Sequence, residues 1–324
     1  MKTLKEIQEY ITHTIQQLNW NKAPRGLYEP IEYTLEGGGK RVRPALLLLT
    51  ANIYDANLEE ATAAAMAVEI FHNFTLLHDD VMDKSDTRRG RKTVHIKWNE
   101  NTAILSGDQM MIEAYSQIAK LSADKLKKVL PLFNKMATEI CEGQQYDVDF
   151  ETQDDVTIPE YTEMIRLKTA VLLATALKIG ALLGNADETE AQALYDFGIN
   201  IGLAFQIKDD YLDVYGDEKT FGKPIGGDIL CGKKTYMWLS AWKNVTEEER
   251  RELMSWLHNQ EAIPNEKIQA VRNIYTKVGA SKECEVAMEE YHQKAVAELD
   301  KIDTNGDKTQ ELRNLAEKLM GRNK

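Results

Sequence analysis

The chain has 324 residues, 43% of them hydrophobic, and a formal net charge of −12. That apolar content suffices for a large core. The negative balance excludes a general affinity for nucleic acid or anionic membrane, so any anionic ligand must be held by local basic residues or by metal.

Cys141, Cys231 and Cys284 are odd in number, widely spaced and form no C-x-x-C pair, which indicates a reducing compartment. The opening Met1-Lys2-Thr3-Leu4-Lys5-Glu6 lacks an apolar signal core. No apolar run approaches the ~20 residues of a transmembrane helix, and the longest, Ala170 to Gly184, is broken by Lys178. We expect a cytoplasmic protein with no transmembrane segment. Apolar residues recur at helical spacing nearly throughout, without convincing strand alternation. The expected helices are 3–19, 27–36, 43–54, 58–83, 101–120, 124–148, 158–184, 188–215, 235–243, 247–259, 265–300 and 309–320. Thr3 with Glu6, Thr157 with Glu160 and Thr246 with Glu249 read as capping boxes. With no composition break to mark a boundary, the expectation is one all-α domain over 1–324, its helices packed as a bundle.

Two stretches carry the chemistry. Asp79-Asp80-Val81-Met82-Asp83 and Asp209-Asp210-Tyr211-Leu212-Asp213 are Asp-Asp-x-x-Asp clusters inside long helical segments. The first and last Asp of each lie four apart on one helix face, where like charges repel. A chain with this arrangement twice has something cationic to put there. Hard, oxygen-liking Mg²⁺, which keeps waters and bridges phosphate oxygens, suits it; two solvated acidic faces are the alternative. On an ideal helix His72, Asp79 and Asp83 project within about 20° of one line, so His72 either faces the same cavity or is a core histidine. Arg88 and Arg89 follow the first cluster and suit bidentate contact with phosphate. Gly37-Gly38-Gly39-Lys40-Arg41-Val42-Arg43 is a second basic element: its glycines admit close backbone approach, and Lys40 and Arg43 can share one anion. Otherwise these are a basic surface loop and a plain interhelix turn. Together the clusters and basic elements describe a place for two diphosphates, one metal-bridged and one metal-free. No Ser-His-Asp set or activated cysteine is evident, so the chemistry that fits is metal-aided ionisation of a C–O bond.

In order along the chain, Gly38 to Pro44, Leu77 to Asp83 with Arg88-Arg89-Gly90, Gly143-Gln144-Gln145-Tyr146-Asp147, Lys168-Thr169, Phe205 to Asp213, Gly222-Lys223 and Gly232-Lys233 resemble the trans-isoprenyl diphosphate synthases, or polyprenyl synthetases. The resemblance implies the isoprenoid synthase fold, a large helical bundle around a central cavity, as a homodimer. It implies isopentenyl diphosphate held by Lys40, Arg43, His72 and Arg89. It implies an allylic diphosphate held through Mg²⁺, with Mn²⁺ the alternative, by Asp79, Asp83 and Asp209, supported by Asp80, Asp210 and Asp213. Arg88, Lys168, Lys223 and Lys233 would touch that diphosphate directly. Thr169 and Gln206 would flank the allylic cation, and Gln144 and Asp147 would line the polar end. Product length would be set at Phe74 and Thr75, with Phe71 contributing. One aromatic followed by a small residue resembles C20 (geranylgeranyl) synthases more than C15 ones. On ideal geometry, however, Thr75 and not Phe74 lies near the Asp79 line, and both phenylalanines could equally be core. The basic end Arg322-Asn323-Lys324 resembles the tail of some farnesyl synthases, or is a frayed terminus.

Rivals are a terpene cyclase on the same fold, which would bind no second diphosphate, and a non-catalytic partner subunit, which would have lost one Asp cluster. Three motifs are decoys. Gly227 to Lys234 is a near P-loop with Lys234 at the Ser/Thr position and no strand before it. Asp303 to Asp307 imitates a calcium loop but has Lys301 and Leu312 at the ends. Glu69 with His72 and Glu289 with His292 imitate a di-iron bundle.

Overall fold

The computed structural model describes residues 3–217, 225–259, 261–302 and 309–321. They form helices α1 (Leu4–Gln16), α2 (Arg25–Glu36), α3 (Val42–Ile53), α4 (Leu58–Met82), α5 (Val94–Lys97), α6 (Glu100–Ile118), α7 (Ala123–Thr152), α8 (Ile158–Ile165), α9 (Val171–Leu183) and α10 (Glu188–Tyr215). After these come α11 (Gly227–Cys231), α12 (Tyr236–Asn244), α13 (Glu247–His258), α14 (Pro264–Lys277), α15 (Ala280–Asp300) and α16 (Gln310–Met320). All three expected capping boxes are present, at Thr3, Thr157 and Thr246.

Three differences from the expected elements have local causes. The expected helix 158–184 holds a π-helical stretch, Arg166–Ala170, between α8 and α9. The expected helix 265–300 breaks at Gly279, whose φ of 78° starts a new helix in another direction. Between α4 and α5 lie strands β1 (Thr87–Arg88) and β2 (Arg91–Lys92), paired antiparallel with Arg88 opposite Arg91. Arg89 (φ 52°) and Gly90 (φ 73°) turn this hairpin, both left-handed. Two left-handed residues are what a two-residue hairpin loop needs.

The described residues fall into two compact units: those of 1–135, 175–195 and 304–312, and those of 136–174, 196–303 and 313–324. In the first, α4 is the spine and packs on α3 and α6. It is apolar nearly all round, as a helix enclosed by others must be. Ala61, Ala64, Ala65 and Ala67 are buried along it, and their small side chains let neighbours come close. Leu46 to Leu49 of α3 are all buried, each contributing about 1.5–3 kcal/mol, and anchor the helix that follows the glycine loop. The second unit is built round a cluster that includes Met237, Trp238, Leu253, Tyr275 and Cys284. Among the described residues no helix is long and apolar enough to cross a membrane.

Candidate active site

In the first unit the glycine loop reverses the chain through three residues with positive φ, Gly38 (79°), Gly39 (131°) and Arg41 (48°). Gly39 has a second reason to be glycine: a Cβ there would sit 3.0 Å from the Arg89 guanidinium carbon. Arg89 in turn donates to the Gly38 carbonyl, so the hairpin tip is tied to the loop. Arg41 turns inward, to a carboxylate of the protein itself. It is buried, paired with Glu69, and donates to the Leu35 carbonyl at 2.6 Å. That pairing also accounts for buried Glu69, so the Glu69/His72 di-iron imitation dissolves.

Arg43 and His72 do meet, with Nη1 and Nε2 3.1 Å apart. Arg43 is lowered to about 10 by burial, with Glu69 raising and Arg89 lowering it; it stays cationic near neutrality. His72 is held well below its usual value by burial and then by Arg43, Arg89, Arg88 and Arg41. It is therefore neutral, and Nε2 accepts from Arg43. The Arg43 Nε–H is buried without a hydrogen-bond partner. Buried donors in folded proteins are almost always satisfied, so this one suits an acceptor supplied by a ligand. Lys40 is exposed at the loop's end.

The first acidic cluster ends α4. Asp80 is buried and accepts from Arg88 Nε at 2.7 Å; burial raises its pKa although Arg88 opposes this. Asp79 is half-buried, and Asp83 is exposed as the helix C-cap. A cleft lined by Asp80 with Tyr33, Gly37, Asn73, Leu77, Arg88 and Arg89 among others opens beside the cluster. Phe71, Phe74 and His78 continue along α4. Phe71 packs edge-on to Phe74 (5.3 Å) and Phe133 (5.4 Å), and Phe74 packs edge-on to His78 (4.9 Å). Phe71 is buried, Phe74 and Thr75 only partly so, and the Thr75 hydroxyl donates back to the His72 carbonyl at 2.8 Å.

In the second unit the other acidic cluster ends α10. Asp210 is buried and accepts from the Tyr161 hydroxyl, from the Tyr236 N–H at 3.0 Å and from Gln206 Nε2 at 3.3 Å. Burial, then the neighbouring Asp228, push it up to about 7. Asp213 is buried and accepts the Asp228 N–H at 3.1 Å. Asp209 is half-buried. Thus in each cluster the middle Asp is an internal brace, while the first stands toward the surface.

Asp147 gathers two lysines, Lys168 at 2.6 Å and Lys233 at 3.4 Å. Burial would raise its carboxyl, but Lys233 and Lys168 outweigh that and hold it below the usual range. Lys168 and Thr169 ride the π-helical stretch. Its backbone lies so close to α7 that a Cβ on Gly143 would meet Lys168 N at 2.4 Å. Thr169 Oγ1 donates to Gln206 Oε1 at 3.3 Å, and Gln144 is half-buried. Lys223, the Arg322–Lys324 end and the Asp303–Asp307 calcium-loop imitation lie outside the described residues.

Sequence reasoning missed three members of these sets: Tyr161, the Arg41–Glu69 pair, and Asp147 as a clamp. The pairs that define them lie 49, 28 and 21 or more residues apart, and no local pattern announces them.

Both clusters occupy the C-terminal ends of their helices. Ionised carboxylates in a last turn, here Asp79, Asp80 and Asp213, oppose the helix dipole at a cost of about 0.3–1 kcal/mol each. Among the described residues no group of three or more His, Cys, Asp or Glu converges to hold a metal by itself. A cation at either cluster must complete its shell with water or ligand oxygens, which is how Mg²⁺ commonly binds. The carboxylate-only donor set fits such an ion.

The polyprenyl synthetase family model matches residues 24–276. The chain is 43% identical over 242 residues to a geranylgeranyl diphosphate synthase of Methanosarcina mazei, covering 74% of this chain and 75% of that one. It is 41% identical over 246 residues to a short chain isoprenyl diphosphate synthase of Methanocaldococcus jannaschii, covering 76% and 75%. A crystal structure of a geranylgeranyl pyrophosphate synthase superposes over 100% of both chains with a TM-score of 0.94 and 44% identity. A polyprenyl synthase from Caulobacter crescentus, complexed with calcium and isoprenyl diphosphate, superposes over 99% of this chain and 97% of that one with a TM-score of 0.87 and 29% identity. The fold is the all-α isoprenoid synthase fold, and the chain belongs to the polyprenyl synthetase family.

Proposed function

We propose that this chain condenses isopentenyl diphosphate with an allylic diphosphate to give an all-trans C20 diphosphate. It is a short-chain trans-prenyltransferase. The observation that carries the reading is the division of the charged groups. Carboxylate clusters lie toward the C-terminal ends of α4 and α10; Arg88 is tied to the first through Asp80, and in the second unit Lys168 and Lys233 are gathered on Asp147.

Isopentenyl diphosphate binds at Lys40, Arg43, His72 and Arg89. Neutral His72 can donate to phosphate oxygen from Nδ1, and the unsatisfied Arg43 Nε–H supplies another donor. The allylic diphosphate is held at Asp79, Asp83 and Asp209, with Arg88, Lys168, Lys223 and Lys233 on its oxygens. Asp80 and Asp210 keep their helix ends in place, and Asp213 fixes the start of α11. Mg²⁺, or Mn²⁺, neutralises charge on the departing diphosphate when bound. The C–O bond breaks with its electron pair on that diphosphate, Thr169 and Gln206 present oxygens toward the allylic cation, and Gln144 and Asp147 line the polar end. The isopentenyl double bond attacks the cation, and the released diphosphate takes the proton, so no protein base is needed.

What supports C20, with C15 the alternative, is the resemblance of Phe74 followed by Thr75 to the pattern of C20 synthases, with Phe71 packed edge-on to Phe74. The protein acts as one cytoplasmic domain and as a homodimer. Exposed Ile104, Leu105 and Ile112 on α6, with Ile96 and Met82 nearby in the chain, support the pairing of two copies. Incubating purified protein with Mg²⁺, carbon-14 isopentenyl diphosphate and each allylic starter in turn tests the reading. Labelled C20 product is expected; label that never enters an allylic product overturns it and favours a cyclase.

A further inference from the structure

The arginine pair stands on a hairpin of two residues per strand, far too small to hold its shape alone. Its base is closed by Thr93, whose hydroxyl donates to the Ser85 carbonyl at 2.7 Å and whose N–H donates to the Asp86 carbonyl at 3.1 Å. Arg88 is tied to Asp80. The opposite strand is held by one residue of α2. The Tyr33 hydroxyl donates to the Lys92 carbonyl at 2.9 Å. The Tyr33 carbonyl accepts from Arg91 Nη1 at 3.2 Å. The Arg91 guanidinium lies 3.9 Å from the centre of the Tyr33 ring. Lys97 Nζ lies 3.8 Å from the same ring and 4.3 Å from that of Trp98. Trp98 meets Tyr33 edge-on at 5.3 Å, fixing the ring's tilt.

Tyr33 thus grips β2 by ring, hydroxyl and carbonyl, at Lys92 and at Arg91, the residue paired with Arg88. We infer that Tyr33, acting through Arg91, is a positioning residue that sets where the Arg89 guanidinium meets diphosphate. This rests on the functional reading above, in which Arg89 serves isopentenyl diphosphate. Arg88 is held at the first acidic cluster by its tie to Asp80, whereas Arg89 is tied to the Gly38 carbonyl of the glycine loop, beside the isopentenyl set, so a shift of the hairpin tip acts on that set first. The latch also has an electrostatic role. Two cations beside one ring are attracted to its face, which lets Arg91 and Lys97 share a small space near the arginine pair.

The test is calorimetric binding of isopentenyl diphosphate and, separately, of an allylic diphosphate with Mg²⁺. The proteins are wild type, Tyr33→Leu and Tyr33→Phe, each first checked for its folded state by circular dichroism. Tyr33→Leu loses the ring contact and a hydrogen bond together, and should weaken isopentenyl diphosphate roughly tenfold. The allylic diphosphate should weaken by no more than about twofold. Tyr33→Phe keeps the ring contact and should recover most of the isopentenyl affinity. In turnover assays the KM for isopentenyl diphosphate should rise while kcat holds. A folded Tyr33→Leu with wild-type isopentenyl affinity overturns the inference, as does equal weakening of both ligands. Wild type that binds no isopentenyl diphosphate overturns the functional reading, and this inference with it.

Discussion

Gly143→Ala is the smallest change that should separate the scaffold from the chemistry. The added methyl would lie 2.4 Å from the Lys168 nitrogen and 2.8 Å from both the Leu167 carbonyl carbon and Cβ. Ordinary contact begins near 3.4 Å, so α7 and the π-helical stretch must part by about 1 Å. The obstacle is mostly backbone, which cannot swing aside as a long side chain can. Overpacking of this kind costs about 1–3 kcal/mol, and replacing glycine by alanine in a helix returns about 1 kcal/mol. The net loss is then about 0–2 kcal/mol, a fall of at most a few degrees in melting temperature. Activity should fall further, because Lys168 and Thr169 sit on the displaced stretch. A misplacement of about 1 Å can cost on the order of 10²-fold in rate. Scanning calorimetry paired with steady-state turnover makes the comparison. A Gly143→Ala protein that melts and turns over like wild type would refute the reasoning, because it would mean the contact relaxes freely.

Phe74→Ala should lengthen the product, read by chromatography of the dephosphorylated alcohols; an unchanged profile would leave Phe74 as packing for Phe71 and His78. Asp210 has a pH signature. Its carboxyl is raised from 3.8 to about 7 by burial and Asp228, so the folded protein resists its ionisation and the unfolded chain does not. This penalty is absent below the unfolded value, grows as pH rises between the two values, and is constant above. Metal-free Asp210→Asn should therefore gain melting temperature on wild type from about pH 4 to about pH 7. A difference that is flat across that window would count against a raised Asp210.

Much of this was readable from the chain because it is local. Capping boxes span three residues, and each Asp cluster spans one turn, so spacing alone exposes them. What escaped is long-range or has no sequence mark. The π-helical stretch Arg166-Leu167-Lys168-Thr169-Ala170 contains no glycine or proline to signal an altered helix. Gly143 looks incidental until the backbone it faces is seen. Asp147 read as polar lining because Lys168 and Lys233 reach it from elsewhere in the chain. The hairpin was hidden by two-residue strands, too short to alternate. Gly279, directly after Lys277-Val278, was a readable stop at a helix end, and the expected helix ran through it. The ideal-helix argument sets His72 on the line of Asp79 and Asp83; in the structure its partner is Arg43, which no local spacing announces.

In the function we propose, both acidic clusters serve one metal-bound diphosphate. The most direct measurement is a double-mutant cycle on Mg²⁺-dependent binding of a non-ionising allylic thiolodiphosphate to wild type, Asp79→Ala, Asp209→Ala and the double variant. The account predicts that each single substitution removes most of the metal-dependent affinity and that the second adds little, a coupling of at least about 1 kcal/mol. Strictly additive losses, or wild-type affinity in either single variant, would contradict it.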